Sequence, residues 1–240
     1  MDKWYNHVVE RQKIGIVGGK LIVNKVWSEL NKTMQTQIKK RDTYEVGIDT
    51  LFDLRNQLME TLTLFHEELS REDFDAIPFI NADGYHSKTI AYSIWHISRI
   101  EDIVAHTLIS ENEQVFFSGN YQERINSPII TTGNELVKEQ IADFSKRLNL
   151  KELYSYIFEV KDSTEKIINS LSYDKLKNKI SEERKEQLKL LNVVSNDENA
   201  IWLIDYWCGK DIRGLIQMPF SRHWIMHIEA SLRIKNKIYS

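Results

Sequence analysis

From Ile48 onward the apolar residues Leu51, Leu54, Leu58, Leu62, Phe65 and Leu69 recur at spacings of three and four. Only an α-helix gathers that spacing onto one face, because its side chains return to the same side every 3.6 residues while those of a strand alternate. Nine glycines and three prolines are all that interrupt 240 residues, and the long stretches between them carry the same helical period. The chain therefore reads as all-α. Four core helices are predicted: Ile48 to about Leu69, about Ser87 to Ser110, about Lys151 to Leu171, and Pro219 to about Lys237. Pro219 fits a first helical position, where its missing N–H has no intrahelical partner to lose.

Local signals fill in the connections. Ser70 with Asp73 predicts a short capped turn, and Asn134 an N-cap for a helix carrying Leu136, Ile141, Phe144 and Leu148. Ser195 with Glu198 reads as a capping box ahead of the apolar run AIWLIDYW. The charged segment Tyr173 to Leu191 and this apolar run give two accessory helices inserted before the last core helix, with Gly209 and Gly214 ending what precedes it. Residues 1–44 read as an N-terminal helical arm and 45–240 as one domain.

Composition excludes several classes of partner. The net charge is −3, and no basic run or basic stripe interleaved with aromatics offers a nucleic acid or a membrane surface a footprint. The first residues, MDKWYNHVVERQK, lack a signal-peptide core, and no run of about 18 apolar residues could span a bilayer, so a cytoplasmic location is expected. The lone cysteine, Cys208, permits no internal disulfide and rules out a cage of several cysteines. The stretch KIGIVGGK at 13–20 looks like a phosphate loop, but that motif needs Gly where Ile14 stands and Ser or Thr where Leu21 stands. Nucleotide binding is rejected there.

The chemistry-bearing residues are histidines. Phe220, His223, His227, Ala230 and Ile234 repeat at three, four, three and four, so both histidines sit on the stripe that faces the core. Four residues apart on a helix, two imidazoles can converge on one ion at about 2 Å each. Alone, that spacing is more often a pair of hydrogen-bonded core histidines. His96 changes the balance: it occupies the middle of the second core helix, on a stripe with Thr89, Ser93, Ile100 and Ile103. Three neutral imidazoles from two helices make a facial site with positions left open, suited to zinc or nickel, and also to iron or copper.

The segments IWHISRIED and RHWIMHIE resemble those of the DinB/YfiT-like family, four-helix bundles named for damage-inducible proteins. The resemblance runs from about Tyr44 to the C-terminus. It implies a DinB-like four-helix bundle holding a divalent metal ion through His96, His223 and His227. It also implies an activity as a hydrolase or thiol S-transferase on a small-molecule substrate, with water or a low-molecular-weight thiol activated at the metal. Members commonly pair, which implies a homodimer, and Trp4, Val8, Val9, Val23 and Trp27 of the arm need a covering surface, either the chain's own bundle or a second subunit. Many members follow the last ligand with R-G-Q, where this chain has Ile228, Glu229 and Ala230, so no role of that Gln carries over. The alternative reading is a non-catalytic metal-binding or stress-response module.

Other polar residues weigh against a catalytic role. Glu101 and Asp102 point away from the His96 face, as a salt bridge or helix contact would, with an outer-shell role as the alternative. Arg99 suits an ion pair or an anionic substrate, and Glu229 points nearly opposite His227. His106 is rotated about 80° from His96, towards the bundle edge. His7, His66 and His86 fall in an arm, a helix end and a loop, where exposure is expected. Cys208 reads as a small core residue. Trp95 and Trp224 read mainly as packing residues that adjoin the ligand positions, one of them able also to wall the pocket, while Ser93 and Ala230 leave room for substrate to enter.

Overall fold

The structure, a computed structural model, describes residues 22–240. The glycine stretch at 13–20, His7, Trp4, Val8, Val9 and the side chain of Val23 lie outside the described part. Among the described residues the chain is helical, and its only extended pairing is an isolated bridge between Lys179 and Asp211. Nine helices organise it: α1 (Ile22–Gln37), α2 (Tyr44–Glu68), α3 (Ile90–Asp102), α4 (Glu139–Arg147), α5 (Leu150–Asn169), α6 (Glu182–Leu190), α7 (Trp202–Cys208), α8 (Ile212–Gln217) and α9 (His223–Ile238). Shorter helical turns, Arg71–Asp75 among them, lie between these.

Helix α3 packs against both α5 and α9, and α2 closes the ring by touching α9 and α5. Helix α1 lies along α2, and the approach is close at Gly47, where a Cβ would come within 2.7 Å of Ile38 Cγ2 and 2.9 Å of the Ile38 backbone nitrogen. Trp27, one of the arm residues that needed a covering surface, finds it within its own chain: it is buried at 1% exposure and belongs to the main apolar core. Burying an indole removes a large apolar surface from water, so the described part of the arm is stabilised by the bundle it covers.

The apolar interior falls into two clusters that divide the long helices at a common level. Leu54, Ile97, Val160 and Trp224 belong to one, while Leu51, Ile100, Ile167 and Phe220 belong to the other. At or next to this division each helix places polar side chains: Arg55 on α2, Arg99 and Glu101 on α3, Lys161, Thr164 and Glu165 on α5, and His223 at the head of α9. A polar layer in a core is costly unless its members satisfy one another.

Helix ends follow the predicted capping chemistry in some places and depart from it in others. Ser70 and Asp73 form a reciprocal capping box on Arg71–Asp75, and the Thr89 side chain accepts from Tyr92 N–H to start α3. Asn134 caps nothing. Its Oδ1 accepts from Thr132 Oγ1 at 2.8 Å, and α4 starts only at Glu139, behind a left-handed Lys138. Ser195 accepts from Asp197 N–H within a turn, six residues short of α7, so it heads no capping box there. Gly214 lies inside α8, where its N–H is held by the Asp211 cap at 2.8 Å.

The helix predicted to begin at Pro219 has a different entry. Met218–Arg222 form a π-helical turn running into α9, whose α-helical hydrogen bonding begins at His223. Pro219 has no N–H to give, and its ring crowds the carbonyl one turn back, so the ladder widens at this point. Ser221 Oγ donates to the Ile216 and Gln217 carbonyls, at 3.2 and 3.0 Å, taking up part of what the turn leaves unpaired. Helix α3 also changes pitch, continuing as a π-helix over Ile103–Ser110.

Candidate metal centre

His96, His223 and His227 meet. Their ring centroids form a nearly equilateral triangle, with sides of 5.0, 4.8 and 4.7 Å. All three are buried, and one candidate ligand atom from each lies within 4.8 Å of the others, close enough for a single ion to reach all three. Among the described residues no carboxylate or thiol joins the trio.

The protonation state suits a cation. Burial lowers the His96 pKa to about 4, and burial with the neighbouring imidazoles holds His223 and His227 well below the ordinary histidine value. At neutral pH all three are uncharged bases. His96 Nδ1 lies 2.7 Å from the Thr132 carbonyl, which can only accept, so Nδ1 carries the proton and Nε2 keeps its lone pair. His223 Nδ1 and both ring nitrogens of His227 are buried without a hydrogen-bond partner among the described residues. Orphaned buried nitrogens are costly, and an ion held between the rings offsets that cost in a way apolar packing does not.

A loop carbonyl row fixes the His96 ring. Tyr92, His96 and Arg99, successive along one face of α3, donate to the carbonyls of Gly133, Thr132 and Ile130 at 2.9, 2.7 and 2.8 Å. Gly133 has φ +79°, a left-handed conformation that L side chains rarely adopt, and a Cβ there would lie 3.1 Å from the Tyr92 ring. Arg99 is therefore committed to structure: it sits 4.3 Å over the Phe116 ring and 3.5 Å from Asp102.

The polar layer braces the entry to α9, the helix that carries the other two histidines. Arg55 is fully buried and binds Glu101 through two bonds of 2.9 and 2.7 Å, Glu165 at 2.9 Å, and the Phe220 carbonyl at 2.9 Å. Glu101 in turn accepts from Trp224 Nε1 at 2.8 Å. These bonds grip the residues three before and one after His223. Burial disfavours the Arg55 charge, but Glu101 and Glu165 more than compensate, and its pKa is raised. Arg55 was not singled out from the sequence, although a charge four residues past Leu51 and three before Leu58, on the core stripe, was a visible signal.

Asp102 and His106 form a separate anchor. The Asp102 carboxylate accepts from His106 Nδ1, Tyr156 Oη and the N–H groups of Val115 and Phe116, all at 2.7–2.9 Å. His106 Nε2 lies 2.7 Å from Ser163 Oγ on α5. His106 is thus buried at 3% exposure rather than at the bundle edge, and its bonds tie α3 to α5. His66 is exposed and stacks on Tyr154, and His86 contacts Arg233. Cys208 is half-buried, which pushes its thiol pKa up and away from nucleophilic use.

A cavity of about 270 Å³ opens onto the trio, with His96 and His223 in its lining. Ile100, Met218 and Pro219 form its wall, and Tyr85, Trp202, Tyr206 and Trp207 its aromatic side. Trp95 and Trp224 are packing residues, as mainly expected, and neither walls the cavity: Trp95 packs among Phe116, Phe144 and Tyr156 while Trp224 is bonded to Glu101. The expected entrance is corrected. Ser93 and Ala230, expected at the entrance, are buried at 2% and 1% and lie outside the lining. The cavity approaches past Ile100 and Met218, along the opposite sense of both helices. Neither models of known protein families nor curated proteins match this chain.

The histidines carry a pH dependence. Unfolded, each titrates near 6.5, whereas the folded pKa values are depressed, so below 6.5 the unfolded chain binds more protons. Stability of the metal-free protein is fully present above pH 6.5 and falls as the pH drops towards 4, by on the order of 3 kcal/mol for His96 alone. Chemical denaturation of chelator-treated protein at pH 7.5 and 5 measures the loss. Equal stabilities at the two values would contradict the buried, neutral assignment.

Proposed function

We propose that this chain is a metal-dependent enzyme of the DinB/YfiT-like type, a four-helix bundle with an N-terminal arm and accessory helices, in which His96, His223 and His227 hold one divalent ion, zinc or nickel. The observation that carries the reading is the convergence of three buried neutral imidazoles, two of them with unpartnered nitrogens, beside an open cavity. A divalent ion bound there would lower the pKa of a coordinated water or thiol, supplying a nucleophile near neutral pH. The chain would then act as a hydrolase or a thiol S-transferase.

The protein's own groups divide the remaining work. Thr132 orients His96, the Arg55–Glu101 pair braces the entry to α9, and Ile100, Met218 and Pro219 give the cavity an apolar wall. Three protein ligands leave coordination positions on the cavity side, as a catalytic centre requires. Among the described residues no carboxylate lines the cavity to act as a general base. That absence favours a nucleophile whose proton is displaced by the metal itself, a thiol above all. It is also the observation that favours the second reading, a metal-binding module without catalysis.

Cobalt substitution separates the two. With an open position, azide or a small thiol shifts the visible spectrum of the cobalt-loaded protein, and Met218→Trp, which fills the wall, weakens that response while cobalt content is kept. An unresponsive spectrum at full occupancy would favour the binding module.

A further inference from the structure

Three of the large hydrophobic side chains that remain exposed surround this one cavity: Tyr85 at 38%, Trp202 at 49% and Tyr206 at 37%. Leaving such rings in water is unfavourable, and clustering them around a cavity mouth marks a surface that another apolar group covers. They are held in place rather than loose. Trp202 Nε1 donates to the Asn199 carbonyl at 2.9 Å, Trp202 meets Tyr206 edge-on at 5.6 Å, and the buried Trp207 backs the same helix. All three of these residues belong to α7, in the segment inserted ahead of the last core helix.

The charge pattern narrows the ligand. Among the described residues no Asp, Glu, Lys or Arg side chain lines the cavity, whose polar groups are Asn134, the histidines and the edges of the aromatic rings. Two cations act at the mouth: Lys210 Nζ sits 4.1 Å over the Tyr206 ring, and Arg222 acts on Tyr85. A cationic ligand would have to displace Lys210 from the ring face and face like charge. A flat, uncharged body with an anionic donor at one end meets no such penalty. A cavity of about 150 Å³ already accepts benzene, so about 270 Å³ holds a substituted ring.

We propose that the site takes a small aromatic thiol or its conjugate, with the sulfur at the His96–His223 end and the ring between Trp202, Tyr206 and Tyr85. This deepens the metal-centre reading and rests on it for the sulfur, whereas the ring contacts stand on the aromatic mouth alone. Phenylmethanethiol and ethanethiol, which differ by the ring, are the probes, and the metal-free protein, where the greater acidity of the benzylic thiol has no metal to act through, isolates the contribution of the ring. Calorimetric titration into metal-loaded and metal-free protein gives at least about ten-fold tighter binding for the phenyl compound in both. The preference shrinks to about two-fold or less in Trp202→Ala/Tyr206→Ala, and Trp202→Phe/Tyr206→Phe, which keeps both rings, restores it. Both positions are substantially exposed, so the variants leave the core intact. Equal affinities for the two thiols in both forms of the protein would overturn the proposal. A ring preference with an unmoved cobalt spectrum would uphold the aromatic mouth and remove the metal from sulfur binding.

Discussion

His227→Leu is expected to abolish stoichiometric metal binding and, at the same time, to leave the metal-free protein at least as stable as the parent. Both ring nitrogens of His227 are buried without partners, so in the metal-free state the ring contributes desolvated polar atoms where leucine would contribute only packing. Unsatisfied buried groups cost about 1–3 kcal/mol each, more than the shape mismatch of a leucine in a histidine's place. The metal-loaded state reverses the sign. Losing one of three ligands should weaken affinity by more than about a hundred-fold, beyond the loss of an outer hydrogen-bond partner. His96→Ala and His223→Ala should behave alike for metal content, and His66→Ala, on the surface, should retain it. Elemental analysis of untagged protein and denaturant unfolding after chelation measure the two halves. Full occupancy in His223→Ala/His227→Ala would end the metal assignment, and a large loss of metal-free stability in His227→Leu would make the histidine a packing residue.

The second large effect is in the polar layer. Arg55→Met leaves Glu101 buried with Trp224 Nε1 as its remaining hydrogen-bond donor, and takes away the donor held by the Phe220 carbonyl. Breaking a buried pair by removing one partner costs about 3–5 kcal/mol, because the other charge stays in a medium that solvates it poorly. The double variant Arg55→Met/Glu101→Leu removes both charges and is expected to recover most of that loss. Urea unfolding of the two variants measures the difference. A single-variant cost under about 1 kcal/mol would mean that water reaches this layer. Metal affinity is expected to fall in both variants, since both release the π turn that leads into His223.

What could be read in advance depended on how far the information lay along the chain. The helical class followed from spacing within single segments, and so did the pairing of His223 with His227, because one helical turn of the same helix brings them together. His96 was legible as an inward mid-helix residue, though its partners stand more than a hundred positions away. Capping was legible only where the cap is immediate: Ser70 with Asp73 held, whereas Asn134 was drawn off by Thr132. The widened turn at Pro219 shows a local signal interpreted too simply, since proline marks a change in hydrogen bonding without saying on which side the regular helix resumes.

The sequence by itself determined the helices, their inward faces and the identity of three imidazoles, because each of those is set by periodicity within about two dozen residues. The tertiary structure alone decided which cavity reaches the imidazoles. Ile100 and Met218 wall it while Ser93 and Ala230 are sealed, and Trp202 and Tyr206 arrive from α7, a helix with no sequence relation to the ligand segments. It likewise decided that Arg55 and Glu101 would find each other across 46 positions, and that the Thr132 carbonyl would select the free nitrogen of His96. Such pairings rest on which side chains close packing brings into reach after the helices dock, and no period along one chain segment encodes that.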